Sequence, residues 1–187
     1  AEFPGDKLVY LNVQRAFDKA ARGFAVPGNA KVLISLGMIA PTILACGTPA
    51  IRRRYLPAMH SGDIIACQLF SEPGAGSDLP SVSTRAVRDG DGWRITGQKV
   101  WTSGAHYSDI GLVLCRTGAG PRHRNLTAFI VHMGAPGVEV RPLRQMTGGA
   151  AFNEVFLTGV PVPDEDRLGD VDGGWAVAMT TLANERS

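Results

Sequence analysis

The spacing of the apolar positions changes twice along the chain. Up to residue 60 they recur every three or four positions, as expected for one face of an α-helix. One stripe comprises Val32, Leu33, Leu36, Ile39 and Ile43, and a second comprises Ile51, Tyr55, Leu56 and Met59. We therefore predict helices over residues 11–60, interrupted at residues 27–28, at Pro41 and at residues 47–49. Thr48 is placed to cap a helix that starts with Pro49.

Between residues 64 and 162 the pattern changes to short β-rich runs separated by Gly, Pro and Asp. The clearest hairpin joins residues 84–88 to 93–96 through Asp-Gly-Asp-Gly, because Asp-Gly pairs suit the positive φ angles of a tight turn. Further strands are predicted at residues 111–116, 127–132, 138–141 and 154–157. Strands at this spacing indicate a small antiparallel barrel or sandwich.

Helical spacing returns after Gly173-Gly174, with Trp175, Ala178, Met179 and Leu182 on one face. The whole pattern predicts an α+β fold. We assign residues 1–66 to a helical N-terminal region and residues 67–167 to a β-barrel middle domain. Residues 168–187 would begin a helical C-terminal domain. With 187 residues, of which 44% are hydrophobic, the chain can bury a sizeable core.

Charge and composition exclude several classes of protein. The 19 Lys and Arg against 17 Asp and Glu give a net charge of +2, without the basic excess typical of nucleic-acid binding. No apolar run approaches the ~20 residues that span a bilayer, and we expect a cytoplasmic location. The three cysteines are far apart and lack metal spacing, which favours buried thiols over a disulfide or zinc site.

Two short motifs carry the functional signal. Residues 71–78 read Ser-Glu-Pro-Gly-Ala-Gly-Ser-Asp, and glycine conformations there would let backbone N–H groups converge on an anion. Residues 99–104 read Lys-Val-Trp-Thr-Ser-Gly and set a large flat ring beside two hydroxyls. The first motif is not a Rossmann fingerprint, because Leu79 occupies the third glycine position and no helix follows. Two loops of this kind suit a dinucleotide with a flat redox ring, such as FAD.

The two motifs resemble signatures of the acyl-CoA dehydrogenase family, whose middle domain carries Thr/Ser-Glu-Pro-x-Ala-Gly-Ser-Asp followed by Lys-x-Trp-x-Ser/Thr. Weaker matches lie at residues 47–49 and 55–57 upstream and at residues 152–155, 162–163 and 173–175 downstream. The resemblance extends from about residue 41. It implies FAD, α,β-desaturation of an acyl-CoA thioester in fatty acid and lipid metabolism, and an electron-transfer flavoprotein as acceptor. It also implies an oligomer.

The resemblance also implies the site. The cofactor-binding residues would be Gln68, Leu69, Phe70, Ser71, Gly74, Gly76, Ser77, Trp101, Thr102 and Ser103. Ser77 would also contact the substrate, and a Ser103 hydroxyl near flavin N5 would stabilise charge that arrives there. Glu185 would remove the α proton, since it follows the apolar face of the last helix, and Arg186 would contact the acyl-CoA. An ordinary glutamate at a frayed helix end is the alternative for Glu185.

Two other functions stay open. A flavin oxidase or monooxygenase would keep the fold and change the chemistry, and rapid reoxidation by oxygen would reveal it. A non-catalytic subunit of a heteromeric dehydrogenase would have its flavin site completed by another chain. A purified chain that binds no FAD would favour that second alternative.

Overall fold

A computed structural model describes residues 33–120 and 122–185. It begins with a π-helical segment, Leu33–Ile39, which continues directly into helix α1, Ala40–Cys46. The interruption predicted at Pro41 is therefore a change from π-helical to α-helical hydrogen bonding between Ile39 and Ala40, and not a break in the helical backbone. The helices predicted before residue 33, and Val32 on the first stripe, lie outside the described residues.

Helix α2, Pro49–Ser61, begins as predicted. The Thr48 side chain accepts a hydrogen bond from the backbone N–H of Ile51 at 3.2 Å, and Pro49 takes the first helical position. The helix ends at Gly62, whose φ of 84° lies in the left-handed region that favours glycine.

Eight strands form one sheet in the order β6-β7-β3-β2-β4-β5-β8, with β1 also paired to β4. The strands are β1 Ala66–Leu69, β2 Arg85–Asp89, β3 Gly92–Ser103, β4 Ile110–Arg116, β5 Leu126–His132, β6 Val138–Leu143, β7 Phe152–Pro163 and β8 Arg167–Leu168. The α+β class is confirmed. The sheet is mixed rather than antiparallel as predicted, because β4 runs parallel to both β1 and β2.

The predicted hairpin is present, with a shorter turn and longer strands. Asp89 pairs with Gly92, so only Gly90 and Asp91 form the turn, and Gly90 has the positive φ of 58°. Gly92 serves a different purpose: a Cβ there would lie 2.7 Å from the Val162 carbonyl oxygen. Strands β3 and β7 each span 12 residues, far beyond the predicted runs, because they pair with each other over most of their length.

The sheet curls around one apolar cluster and carries a second on its outer side. The rings of Trp93 and Phe129 lie 5.2 Å apart although β2 and β4 separate their strands, so the sheet is strongly curved. The outer cluster joins Leu112, Leu114 and Ile130 to the helices through Ile39, Ile43, Ile51 and Val177. Alternating side chains of β4 and β5 thus serve both clusters.

Helix α3, Gly174–Glu185, packs on this outer face. Its buried side chains include Val177, Ala178 and Thr181, whereas Met179 is 37% exposed. The predicted apolar face is therefore wrong at Met179. Thr181 takes a buried position instead, because its hydroxyl lies 3.0 Å from the hydroxyl of Thr42 on α1.

A buried carboxylate ties α2 to the turn after β7. Asp166 is 1% exposed and accepts hydrogen bonds from the Tyr55 hydroxyl at 2.7 Å and from Arg54 at 3.0 Å. Together with the shared outer cluster, these bonds fix the helical segments on the sheet. No helix in the described part of the chain combines the length and apolarity needed to cross a bilayer.

The three cysteines carry free thiols, and Cys67 and Cys115 are buried. Burial raises the pKa of each of these two thiols to about 12. Over residues 33–120 and 122–185, no group of three or more His, Cys, Asp or Glu side chains is arranged to hold a metal ion.

Candidate functional site

The first motif is a tight turn that follows β1. Glu72 and Ala75 exchange backbone hydrogen bonds of 2.9 and 3.1 Å, and this turn presents Gly74 to solvent. Neither Gly74 nor Gly76 has a positive φ, so the prediction that they supply unusual backbone angles is wrong. A Cβ at either glycine would meet no atom within 4 Å. The turn therefore offers open backbone, and Ser77 beside it is exposed.

The second motif is the end of strand β3 rather than a free loop. Lys99 pairs with Val155 and Thr102 pairs with Asn153, so β3 contains one residue more than β7 over this stretch. Such a β-bulge re-aims the side chains that it carries. Trp101 lies in the bulge with a φ of 59°, which is strained for a bulky residue, and 63% of its surface is exposed. The fold thus displays this ring to solvent.

The two motifs meet in space. The backbone N–H of Val100 donates to the carbonyl oxygen of Ser71 at 2.9 Å, which ties the bulge of β3 to the turn after β1. The Trp101 ring also packs edge-on against Phe152, with ring centroids 6.2 Å apart. The turn after β1 and the bulge that carries Trp101 are therefore neighbours in the fold.

A buried ion pair reinforces this junction. Lys99 is fully buried, and its Nζ donates to Glu72 at 2.8 Å, to the Leu114 carbonyl at 2.9 Å and to the Phe70 carbonyl at 3.1 Å. Three acceptors around one nitrogen require three N–H donors, so the side chain is an ammonium ion. Burial lowers the pKa of Lys99, and the Glu72 carboxylate opposes that shift.

Several hydrogen-bond donors surround the Glu72 carboxylate. Besides Lys99, it accepts hydrogen bonds from the Ser83 N–H and hydroxyl at 2.6 and 2.7 Å and from the Thr84 N–H at 3.0 Å. Burial alone raises the pKa of Glu72, but attraction to Lys99 and the hydrogen bonds outweigh it and lower the pKa to about 2. The carboxylate is therefore charged and positions the turn rather than transferring protons.

The other predicted site residues are placed as follows. Gln68 is half-buried in β1, whereas the side chains of Leu69 and Phe70 are buried in the two apolar clusters, so only their backbone groups can face a ligand. Glu185 is exposed at the last residue of α3. It follows Thr181 by one turn, but the packed part of the helix ends before it. Arg186 lies outside the described residues.

The chemistry of the surface suits a flavin dinucleotide. An anionic diphosphate needs open backbone N–H groups; Gly74, Gly76 and Ser77 are exposed, whereas the Ala75 N–H is already bonded to Glu72. A flat ring system needs an aromatic platform, and Trp101 supplies one. The Thr102 hydroxyl is buried without a hydrogen-bond partner, directly beside that ring in the chain. These three features are consistent with FAD.

Sequence reasoning missed three buried polar residues: Glu72, Lys99 and Asn153. Glu72 and Lys99 stand inside the two motifs, and a charged residue within an apolar or Gly-rich motif is the signal that could have identified them. Asn153 carries no such signal in the sequence, yet it is fully buried opposite Thr102. His106 lines a separate open cleft of about 660 Å³. None of the predicted site residues lines it.

Comparison with known proteins agrees with this geometry. The family description "Acyl-CoA dehydrogenase, middle domain" matches residues 67–160. Acyl-CoA dehydrogenase FadE34 of Mycobacterium tuberculosis is 57% identical over 148 residues, which are 79% of this chain and 21% of that protein. The chain thus spans about a fifth of that relative.

Two solved structures are similar in fold. The Tcur3481-Tcur3483 steroid ACAD has a TM-score of 0.78 and 32% identity, with 97% of this chain and 53% of that chain covered. The ChsE4-ChsE5 complex of Mycobacterium tuberculosis has a TM-score of 0.80 and 34% identity, with 91% and 44% covered. With its two signature motifs hydrogen-bonded to each other and its middle domain matched, the chain belongs to the acyl-CoA dehydrogenase family, whose members are FAD flavoproteins.

Proposed function

We propose that this chain binds FAD and forms part of an enzyme that introduces an α,β double bond into an acyl-CoA thioester. The observation that carries the proposal is the hydrogen bond between Val100 and Ser71, which joins the second motif to the first. Family membership supports dehydrogenation of acyl-CoA in general.

The turn after β1 would hold the diphosphate and one edge of the ring. Exposed backbone at Gly74 and Gly76 and the Ser77 hydroxyl would donate to phosphate oxygens, and Ser77 would also contact the substrate. The backbone of Leu69 and Phe70, with the Ser71 hydroxyl, would face the pyrimidine edge. Lys99 neutralises Glu72 behind this turn, so no negative charge is left unpaired beside the diphosphate.

The end of β3 would hold the ring itself. Trp101 would stack against it, Thr102 would contribute backbone contacts, and the half-buried Ser103 would donate a hydrogen bond near N5. FAD, when bound, supplies the acceptor for a hydride from the substrate β carbon. A donor fixed by a strand needs little reorganisation as negative charge develops, which is the condition for electrostatic catalysis.

The α proton needs a base, and Glu185 is our candidate within this chain. Its place at the end of α3 leaves the carboxylate free to enter a pocket that further parts of a longer protein would complete. Arg186 would contact the acyl-CoA. The reduced cofactor would pass its electrons to an electron-transfer flavoprotein, and we expect a homo- or hetero-oligomer.

The test is an anaerobic absorbance titration of the full-length protein that contains this chain. We expect FAD to bind, and one class of acyl-CoA to bleach the visible flavin band. Ser103→Ala should slow bleaching with little change in FAD affinity, whereas Arg94→Met on the exposed side of β3 should behave as the wild type. Absence of FAD binding would refute the proposal, and rapid reoxidation by oxygen would favour an oxidase.

A further inference from the structure

Ser103 lies between two backbone irregularities that need support from elsewhere. On one side is the bulge with Trp101 at a φ of 59°, and on the other is Gly104 at a φ of 70°. A bulky residue in the left-handed region costs about 1–2 kcal/mol and persists only where the surroundings impose it. Val100 begins the bulge and is held by its bond to Ser71, but that contact lies before Trp101. A second contact is needed after it.

Asn153 provides that contact from strand β7. It is fully buried and stands opposite Thr102, at the first position where the two strands regain their register after the bulge. Its Nδ2 donates to the Thr102 carbonyl oxygen at 2.9 Å. Because the side chain is shielded from water, no solvent molecule competes for this carbonyl.

The same amide also contacts the segment after Ser103. Asn153 Oδ1 lies 3.2 Å from Nδ1 of His106, in the short 3-10 helix Ala105–Tyr107. With Nδ2 committed to Thr102, Oδ1 must accept, so His106 donates from Nδ1. One buried side chain therefore contacts the chain immediately before and shortly after Ser103.

We propose that Asn153 is a positioning residue that sets the conformation of residues 100–106 and so aims Trp101 and the Ser103 hydroxyl. This role rests on the proposed function for its consequence in catalysis, but the positioning itself is a property of the chain alone. The side-chain chemistry is specific. Leucine has a similar shape and offers neither bond, and aspartate keeps an acceptor for His106 but places a second acceptor against the Thr102 carbonyl.

The first test is hydrogen–deuterium exchange of the cofactor-free full-length protein. Asn153→Leu and Asn153→Asp should each increase exchange over residues 100–107 by about tenfold or more, because the Thr102 carbonyl loses its donor. Exchange over β4 and β5 should stay at the wild-type level. The matched control is Thr42→Val, which removes a fully buried hydroxyl from α1 and should leave residues 100–107 unchanged.

Exchange over residues 100–107 that rises no more than in Thr42→Val would overturn the proposal. So would a rise spread evenly over the sheet, or unfolding of both variants, because Asn153 would then hold the fold in general rather than the bulge.

The second test uses FAD at saturation. Asn153→Leu should shift the bound flavin absorption band and weaken FAD binding by about tenfold, whereas Thr42→Val should reproduce the wild-type spectrum. An unshifted band in Asn153→Leu would overturn the proposal. If the wild-type protein binds no FAD, the proposed function fails, and the exchange result alone decides the positioning role.

Discussion

Replacing Lys99 with methionine should destabilise the fold more than any exposed ion-pair substitution. The change keeps a long apolar side chain but removes the ammonium from between Glu72, the Phe70 carbonyl and the Leu114 carbonyl. Glu72 is only 5% exposed and would keep three donors, from Ser83 and Thr84. Removing one partner of a buried ion pair lowers the free energy of unfolding by about 3–5 kcal/mol. Because Glu72 keeps its other donors, we expect a loss in the lower half of that range.

Urea denaturation followed by circular dichroism near neutral pH measures this cost. The control is Arg94→Met, because the Arg94–Asp89 pair is as short, at 2.6 Å, but its side chains are 53% and 54% exposed. We expect less than about 1 kcal/mol for the control. The double variant Glu72→Gln/Lys99→Met should cost less than the sum of its single changes. Equal costs for Lys99→Met and Arg94→Met would refute the assigned role of the buried pair.

Acid should weaken the same junction. The pKa of Glu72 is about 2 in the folded chain against an ordinary value of 4.5. Because the folded pKa is lowered, the stability that Glu72 contributes is complete above pH 4.5 and is lost as the pH falls toward 2. Urea midpoints of the wild type and Glu72→Gln should therefore converge over this interval. Parallel curves would contradict the expectation.

Three further substitutions test local features. Thr48→Ala should cost about 1 kcal/mol in urea denaturation through the lost helix cap, and no change would mean that the cap contributes nothing. Trp101→Gly should stabilise the cofactor-free chain by about 1 kcal/mol, because glycine adopts a positive φ without strain. The same change should weaken FAD binding in a fluorescence titration. A destabilised chain would show that the Trp101 ring makes more packing contacts than its exposure implies. Gly104→Ala should cost about 2 kcal/mol or more, because its φ is 70° and a Cβ would lie 2.3 Å from the Tyr107 hydroxyl oxygen; a thermal melt at the wild-type midpoint would contradict this.

Local patterns predicted the parts of the fold that depend on near neighbours. The start of α2 follows from Thr48 and Pro49 alone, and the β2–β3 hairpin follows from residues within one turn. That the two motifs hold one cofactor stays a prediction, which rests on residue types that suit the same ligand. The hydrogen bond from the Val100 N–H to the Ser71 carbonyl oxygen places the two motifs next to each other.

Contacts between residues far apart in the chain could not be predicted from local sequence patterns. Lys99 reaches a carboxylate 27 positions earlier, and Asn153 reaches a carbonyl 51 positions earlier, so neither partner is visible in a local window. The bulge at Trp101 arises from the register between β3 and β7, and hydrophobic spacing does not encode register shifts. Met179 was misplaced for the same reason, because the burial of Thr181 depends on Thr42.

The outer apolar cluster has a consequence for how the chain folds. Its members come from both ends of the described chain, and the hydroxyls of Thr42 and Thr181 meet across 139 positions. Closing so large a loop is slow, and during synthesis the outer side of the sheet would be only partly covered, by α1 and α2, until α3 leaves the ribosome. A fragment that contains only the strands would leave this apolar surface exposed. We therefore expect it to aggregate rather than fold independently.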